Sequence, residues 1–382
     1  MQSTQAAPRS AANHNFAPWL GVIFLIYLLL VAVGMIGAGF KWASGGADGA
    51  RQLFAFATNP LMGLVVGAMA TALVQSSSTV TSVIVGLVAG GLPVPTAIPM
   101  IMGANLGTTV TNTLVSMGHV GKRKEFRRAF SAATVHDFFN LMAVAIFLPL
   151  EVMTGYLSKT SEYLANLLVG GSSVSIKGLD FIKPLTQPVL DVFKDLYAGL
   201  PGITGGVMLA LTGLAFIFLS IVFLGKLLKR LMVGRAKAIL HKAIGRGPVT
   251  GIFSGTLMTI AVQSSSTTTS LIVPLAGNGL FKLKEIYPFT LGANIGTTIT
   301  ALLAATAVSG SHAFFALQIA LVHLVFNISA VVLIYGIPQL RKIPLRTARR
   351  FAQIASRRKW IVLAYVGGVF FVIPGLLIAI TA

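Results

Sequence analysis

Along the chain, long apolar runs alternate with short polar or basic ones. Trp19–Phe40, Ala129–Leu150, Ile203–Leu224, Phe314–Ile337 and Trp360–Ile380 each exceed the roughly 18 residues that a helix needs to cross hydrocarbon, so each is predicted to span a membrane. Ala97–Met117 and Ile286–Ala307 have the length of a span but carry glycine, asparagine and threonine at their centres. Two other apolar segments, Asn59–Gly91 and Thr250–Gly279, are too short for two crossings, which need about 40 residues, and are most polar in the middle. Two half-helices of about 14 residues would reach roughly 21 Å. Each segment is therefore expected to form a re-entrant hairpin, with QSSSTVTS (Gln75–Ser82) or QSSSTTTS (Gln263–Ser270) at its tip. Irregular backbone at that depth is tolerated only within protein or against a water-filled cavity.

The polar centres recur in order. Gly63, Gly67, Thr71 and Gln75 return as Gly251, Gly255, Thr259 and Gln263; GANLGTTVT from Gly103 returns as GANIGTTIT from Gly292; and VHDFFN, Val135–Asn140, returns as VHLVFN, Val322–Asn327. Three motifs at nearly one spacing mark an internal duplication. Glycine and asparagine tolerate the left-handed conformation, so Asn105 and Asn294, each near two glycines, are expected to interrupt their helices. A hairpin returns to its own side, so counting spans sets the two copies in opposite orientation, the layout of many secondary transporters. The predicted fold is an all-α integral membrane protein of seven spans and two inverted-topology repeats, each with a re-entrant helical hairpin and a broken transmembrane helix. Its divisions are a polar tail, 1–17; a first repeat, 18–150, with its hairpin at about 59–91; an extracytoplasmic linker, 151–202; a second repeat, 203–336, with its hairpin at about 250–280; and a basic cytoplasmic segment with a final span, 337–382. The first apolar run exceeds the core of a signal peptide and is expected to remain as a helix.

Composition agrees, since 55% of the residues are hydrophobic, the mean hydropathy is +0.85 and only 10% are charged, against about 25% in soluble domains. The net charge of +20 does not point to nucleic acid. Lys and Arg gather between the spans, at Lys122–Arg128, Lys226–Arg246, Lys282–Lys284 and Arg341–Lys359, as cytoplasmic anchors do. This places the N-terminus inside and the C-terminus outside. The last block, which intersperses Ile343, Leu345, Phe351 and Ile354 with charge, also suits a helix lying on anionic lipid. With no cysteine, disulfides, thiolate metal sites and cysteine nucleophiles are excluded. No acid–His–Ser constellation is suggested by His136 or His323, so no enzyme is expected.

Between Thr58 and Met117, and between Thr250 and Phe281, there is no Lys, Arg, Asp or Glu. An ion held there is held by hydroxyls, amides and backbone. Hard cations such as sodium take oxygen ligands, and an anion can rest on free N–H groups at a helix start that a serine also caps. One sodium ion at about 4 Å from an anion contributes roughly 4 kcal/mol at an effective dielectric of 20, about a thousandfold in affinity. Asp137 lies within the third span, its counterpart is the uncharged Leu324, and an intramembrane carboxylate is a functional candidate by default. Its alternative is an ion pair with Arg127 or Arg128 near the surface. The alternative for the serines and threonines is close helix packing. For His136, His323, Asn140 and Asn327 it is hydrogen bonding within the bundle.

QSSSTVTS, GANLGTTVTNT, FRRAFSAATVHDFFN, QSSSTTTS, GANIGTTIT, ALQIALVHLVFNIS and IPLRTARR make the chain resemble the type II sodium-dependent phosphate cotransporters, from about Gly63 to the last span. The resemblance implies a secondary active symporter that takes up inorganic phosphate with sodium by alternating access, with sodium as coupling ion and no cofactor. It implies that Gln75, Ser76, Ser77, Ser78 and Thr79, with Gln263, Ser264, Ser265, Ser266 and Thr267, form the phosphate site. Gln75, Gln263, Asn105, Thr108, Thr109, Asn112, Asp137, Asn140, Asn294, Thr297, Thr298 and Asn327 are the implied sodium ligands. In that family an Asp in the VHD motif marks electrogenic members that bind an additional sodium, so Asp137 implies a current. A linker without cysteine departs from the animal members' bridged outer loop and implies a bacterial form in the inner membrane. The implied partners are phosphate, sodium and lipid; pairing into a homodimer is left open, as are sulfate or dicarboxylate as cargo and phosphate efflux.

Overall fold

All regular structure in the computed structural model is helical among the described residues, which are 16–46, 58–170, 182–244, 246–308 and 312–381 with positions 49 and 52. Most of the predicted tail and residues 171–181 of the predicted linker lie outside them. An apolar chain in lipid must satisfy its backbone internally, and a helix does so within one segment. The order is α1 (Phe16–Ser44), α2 (Pro60–Val74), α3 (Ser77–Ala89), α4 (Val94–Gly107), α5 (Thr109–Met117) and α6 (Arg123–Thr154). The linker contributes α7 (Tyr156–Gly170) and α8 (Ile182–Ala198). There follow α9 (Thr204–Ala243), α10 (Pro248–Val262), α11 (Ser265–Ser270), α12 (Ile272–Gly277), α13 (Leu283–Thr306) and α14 (Ala313–Ala330), which runs on through a π-helical turn, Val331–Tyr335. α15 (Pro338–Ala355) precedes α16 (Trp360–Gly367), which passes through a π-helical stretch, Gly368–Val372, into α17 (Ile373–Thr381).

Among the described residues six stretches are long and apolar enough to cross a membrane: α1, α6, the first part of α9, α13, α14 with its π turn, and α16 with its continuation. The seventh predicted span, Ala97–Met117, is divided at Thr108 into α4 and α5. Its counterpart is not divided. α13 passes unbroken through GANIGTTIT, so the expectation of a broken helix in both copies is corrected for the second. Neither Asn105 nor Asn294 is left-handed; among the described residues the only non-glycine positions with positive φ are Gln75 and Gln263. The glycines of the GAN motifs serve close approach instead. A Cβ on Gly103 would lie 2.0 Å from the Leu64 carbonyl oxygen, and one on Gly292 would lie 1.9 Å from that of Ile252. Small residues thus let α4 settle on α2 and α13 on α10, and that packing holds the chain helical where composition alone favours a break.

The two copies interlock in a crossed pattern. α3 packs on α13 and α14, while α11 and α12 pack on α5 and α12 also on α6; α6 lies on α13, and α14 lies on α4. Each short helix that follows a QSSS turn therefore rests on the GAN and VH helices of the other copy. Outside this core α15 lies along α6, burying Pro344, Leu345, Ala348, Ala352 and Ala355 and exposing Lys342, Arg346, Arg349 and Arg350.

Candidate functional site

Both QSSS segments are built alike. α2 ends at Gln75, which is left-handed (φ 58°, ψ 26°) and donates its N–H to the Thr71 carbonyl at 2.8 Å. Ser76 is extended (φ −150°, ψ 104°), and its Oγ accepts the Thr79 N–H at 3.2 Å, capping α3. α10 ends at Gln263 (φ 54°, ψ 27°), and Ser264 (φ −155°, ψ 110°) accepts the Thr267 N–H at 3.1 Å. A left-handed residue other than glycine costs about 1–3 kcal/mol and persists only where its surroundings hold it. Here the carboxamide does the holding. Gln75 Oε1 accepts from Thr111 Oγ1 at 2.7 Å and Gln263 Oε1 from Thr300 Oγ1 at 2.9 Å, while the Nε2 groups donate to the Ala72 and Ile260 carbonyls. Thr111 and Thr300 occupy the same position of the GAN repeats, the one signal in the sequence that could have identified these clamps. The copies differ in access, with Gln75 exposed and Gln263 only 8% exposed.

Behind the turns, Ser77, Ser78 and Thr79 and their counterparts Ser265 and Ser266 are buried. Among the described residues no hydrogen bond is made by the hydroxyls of Ser77, Ser78, Ser265 or Ser266, and none joins the two QSSS segments. The Ser77 and Ser78 N–H groups, at the start of α3, have no acceptor within their own helix. QSSSTTTS reaches the other copy through Thr269, whose Oγ1 lies 2.9 Å from Asn112 Oδ1 and 2.8 Å from the Ser265 carbonyl of its own helix. Thr108, Thr297 and Thr298 instead donate to carbonyls of their own helices, at Asn105, Ala293 and Ile295.

The four asparagines named above form a reciprocal network with the two histidines. Asn105 Nδ2 donates to Asn327 Oδ1 at 2.9 Å, and its Oδ1 meets His323 Nε2 at 3.0 Å. In the other half, Asn294 Nδ2 donates to Asn140 Oδ1 at 2.7 Å and its Oδ1 meets His136 Nε2 at 2.5 Å. Asn140 Nδ2 reaches the Asn105 carbonyl at 3.0 Å, and Asn327 Nδ2 that of His323 at 2.8 Å. Each GAN asparagine thus bonds the VH helix of the other copy. Each of the four carboxamide oxygens has one partner, so in this conformation the asparagines join the copies, with a second lone pair left on each oxygen.

Asp137 stands apart from that network. It is 3% exposed, and among the described residues neither carboxylate oxygen has a hydrogen-bond partner. Arg127 and Arg128 are exposed and do not pair with it, which removes the surface ion pair as its role. His136 Nδ1 lies 3.9 Å away and Thr109 stands beside it. His136 Nε2 lies 2.5 Å from Asn294 Oδ1 and 3.4 Å from Asn140 Nδ2, and Nδ1 is the ring nitrogen on the Asp137 side. The Thr109 and Thr113 hydroxyls and His136 Nδ1 are likewise buried without partners. A carboxylate buried without a donor is costly unless a proton or a cation accompanies it. Among the described residues no three His, Cys, Asp or Glu side chains gather into one site, so the donors suit a hard monovalent ion better than a transition metal.

The chain is 34% identical over 425 residues to sodium-dependent phosphate transport protein 2A of Rattus norvegicus, covering 93% of this chain and 66% of that protein. It is 35% identical over 441 residues to sodium-dependent phosphate transport protein 2B of Bos taurus, covering 92% of this chain and 63% of that protein. The chain thus spans just under two thirds of the length of these relatives. No solved structure matches it. The family described as Na+/Pi-cotransporter matches residues 28–183 and 206–343, one stretch over each copy of the repeated motifs. With most of its length so matched, the chain is a transporter-family protein and not an enzyme, and it belongs to the Na+/Pi-cotransporter family.

Proposed function

We propose that this multi-pass membrane protein couples sodium entry to uptake of inorganic phosphate. Support comes from the family and from what its relatives are named for, sodium-dependent phosphate transport. The observation that carries the reading in the structure is the pair of QSSS turns, charge-free, left-handed at glutamine, and holding buried serines whose hydroxyls make no hydrogen bond among the described residues. In the proposal Gln75–Thr79 and Gln263–Thr267 supply hydroxyl and N–H donors to phosphate. Their lack of a fixed cation makes phosphate binding depend on sodium beside it.

We also propose that the QSSS segments are re-entrant hairpins of two inverted repeats working by alternating access. α2, with 15 residues, rises about 22 Å and falls short of the roughly 30 Å of hydrocarbon, and the crossed packing of the copies suits two units moving against each other. Asp137, with Thr109 beside it, would hold an additional sodium and make transport electrogenic. Placement in a bacterial inner membrane rests on the cysteine-free linker.

The test is uptake of radiolabelled phosphate into proteoliposomes under an inward sodium gradient. Uptake should collapse when choline replaces sodium, and unchanged uptake would refute coupling. Competition by sulfate or a dicarboxylate equal to that by unlabelled phosphate would reassign the cargo.

A further inference from the structure

Three basic blocks, distant in the sequence, converge on one cavity. It encloses about 450 Å³ between the start of α6, the turn that follows α12, and α15. Arg127 and Arg128 come from the first block, Lys282 from the second and Arg349 from the third, with Ser131 and Gln353 beside them. No acidic side chain lines it, and among the described residues none of the four cations is ion-paired. The nearest acids in sequence are committed elsewhere. Glu125 pairs with Lys122 at 3.0 Å, and Glu285 turns back to accept the Lys282 N–H at 2.7 Å.

The cavity is also built on fixed walls. Phe126 and Phe130 stack at 5.4 Å, and Phe130 meets Phe351 at 5.3 Å, joining α6 to α15 behind the basic face. Gly279 has φ +80°, and a Cβ there would lie 2.5 Å from Arg128 Nη1, so the guanidinium lies directly over this turn. Four exposed cations around one concavity repel one another to an extent that salt screens, and an anion among them relieves that repulsion. Arginine forks match phosphate oxygens in pairs, whereas lysine acts as a point charge.

We propose that this cavity is a binding site for a phosphate group, carried either by an anionic phospholipid headgroup or by free phosphate. It shares no residue with the QSSS turns or with Asp137. Its existence therefore does not depend on the transport reading.

Two arms identify the source. In one, delipidated full-length protein in detergent is titrated with phosphatidylglycerol or phosphatidylcholine and bound lipid is counted by native mass spectrometry. In the other, binding of radiolabelled inorganic phosphate is measured without sodium. Removing each cation should weaken binding about fivefold, so that R127Q/R128Q/R349Q loses on the order of a hundredfold. Loss for phosphatidylglycerol alone assigns a headgroup, and loss for phosphate alone assigns the free anion. Equal binding by wild type and variant in both arms, or no binding by wild type in either, overturns the proposal. If the triple variant is not monodisperse, K282Q/R349Q replaces it. Protection of the wild-type arginines from phenylglyoxal by either probe gives an independent reading, and absence of protection by both counts against the site.

Discussion

Replacing Asp137 by Asn removes one charge while keeping the shape of a side chain that touches no hydrogen-bond partner among the described residues. A sodium ion about 4 Å from the carboxylate gains roughly 4 kcal/mol at an effective dielectric of 20, about a thousandfold in affinity, so the variant site should be empty at any working sodium concentration. The QSSS turns are untouched, and phosphate should still be carried. If the lost sodium supplied the one net charge of each cycle, wild-type transport gains about 2.3 kcal/mol per 100 mV and the variant gains none. That corresponds to about fiftyfold in the steady accumulation ratio of phosphate. Proteoliposomes clamped with potassium and valinomycin at 0 and −100 mV measure it directly. Accumulation by wild type should respond to voltage and accumulation by Asp137→Asn should not. A variant with unchanged voltage response, or one in which uptake and response fall in the same proportion, would refute the assignment of the charge to Asp137.

Gly103→Ala and Gly292→Ala should each destabilise the protein by about 1–3 kcal/mol, since the new methyl overlaps the Leu64 or Ile252 carbonyl; Gly375→Ala, with nothing within 4 Å, is the control in a thermal-shift assay. Gln263→Ala leaves the buried Thr300 hydroxyl unpaired and should cost about 1–3 kcal/mol, more than Gln75→Ala at the exposed copy, and equal shifts in melting temperature would contradict the difference in access. Both substitutions should slow sodium-driven phosphate uptake. A double-mutant cycle on Asn105→Ala and Asn327→Ala, read by thermal unfolding, should give a coupling of about 0.5–3 kcal/mol, and additive effects would mean that their 2.9 Å bond does not join the copies.

Much of this architecture is legible in the sequence because lipid leaves few choices. Run length identifies six of the seven predicted spans, and the serine cap of a helix start fixes the form of each QSSS turn. The GAN motifs were harder. Glycine both permits a left-handed residue and permits another backbone to come close, and composition does not tell which use prevails. Only the position of the Leu64 and Ile252 carbonyls decides it, and those contacts are tertiary. The left-handed residues prove to be Gln75 and Gln263, which local propensity disfavours and which side-chain bonds to Thr111 and Thr300 enforce. The pairing of Asn105, Asn140, Asn294 and Asn327 across the copies was likewise not legible, because those bonds too are tertiary.

What the duplication keeps and what it lets diverge separate scaffold from chemistry. Kept in both copies are the left-handed glutamine, its threonine clamp, the capping serine, the close-packed glycines and the Asn–His links, all of which position backbone. Divergence falls on a few single side chains and on access. Asp137 faces Leu324 as its counterpart, Asn112, which accepts from Thr269, has Ala301, and Gln75 is open where Gln263 is closed. Asp137 and Asn112 both come from the first copy, on the packed helices α6 and α5. In a scaffold built from repeated motifs, an ion bound away from the axis relating the copies has two equivalent places unless such differences break the symmetry. A lone buried carboxylate does so with the largest electrostatic effect per residue changed, which is why the charge carried per cycle, rather than the binding of phosphate, should depend on Asp137.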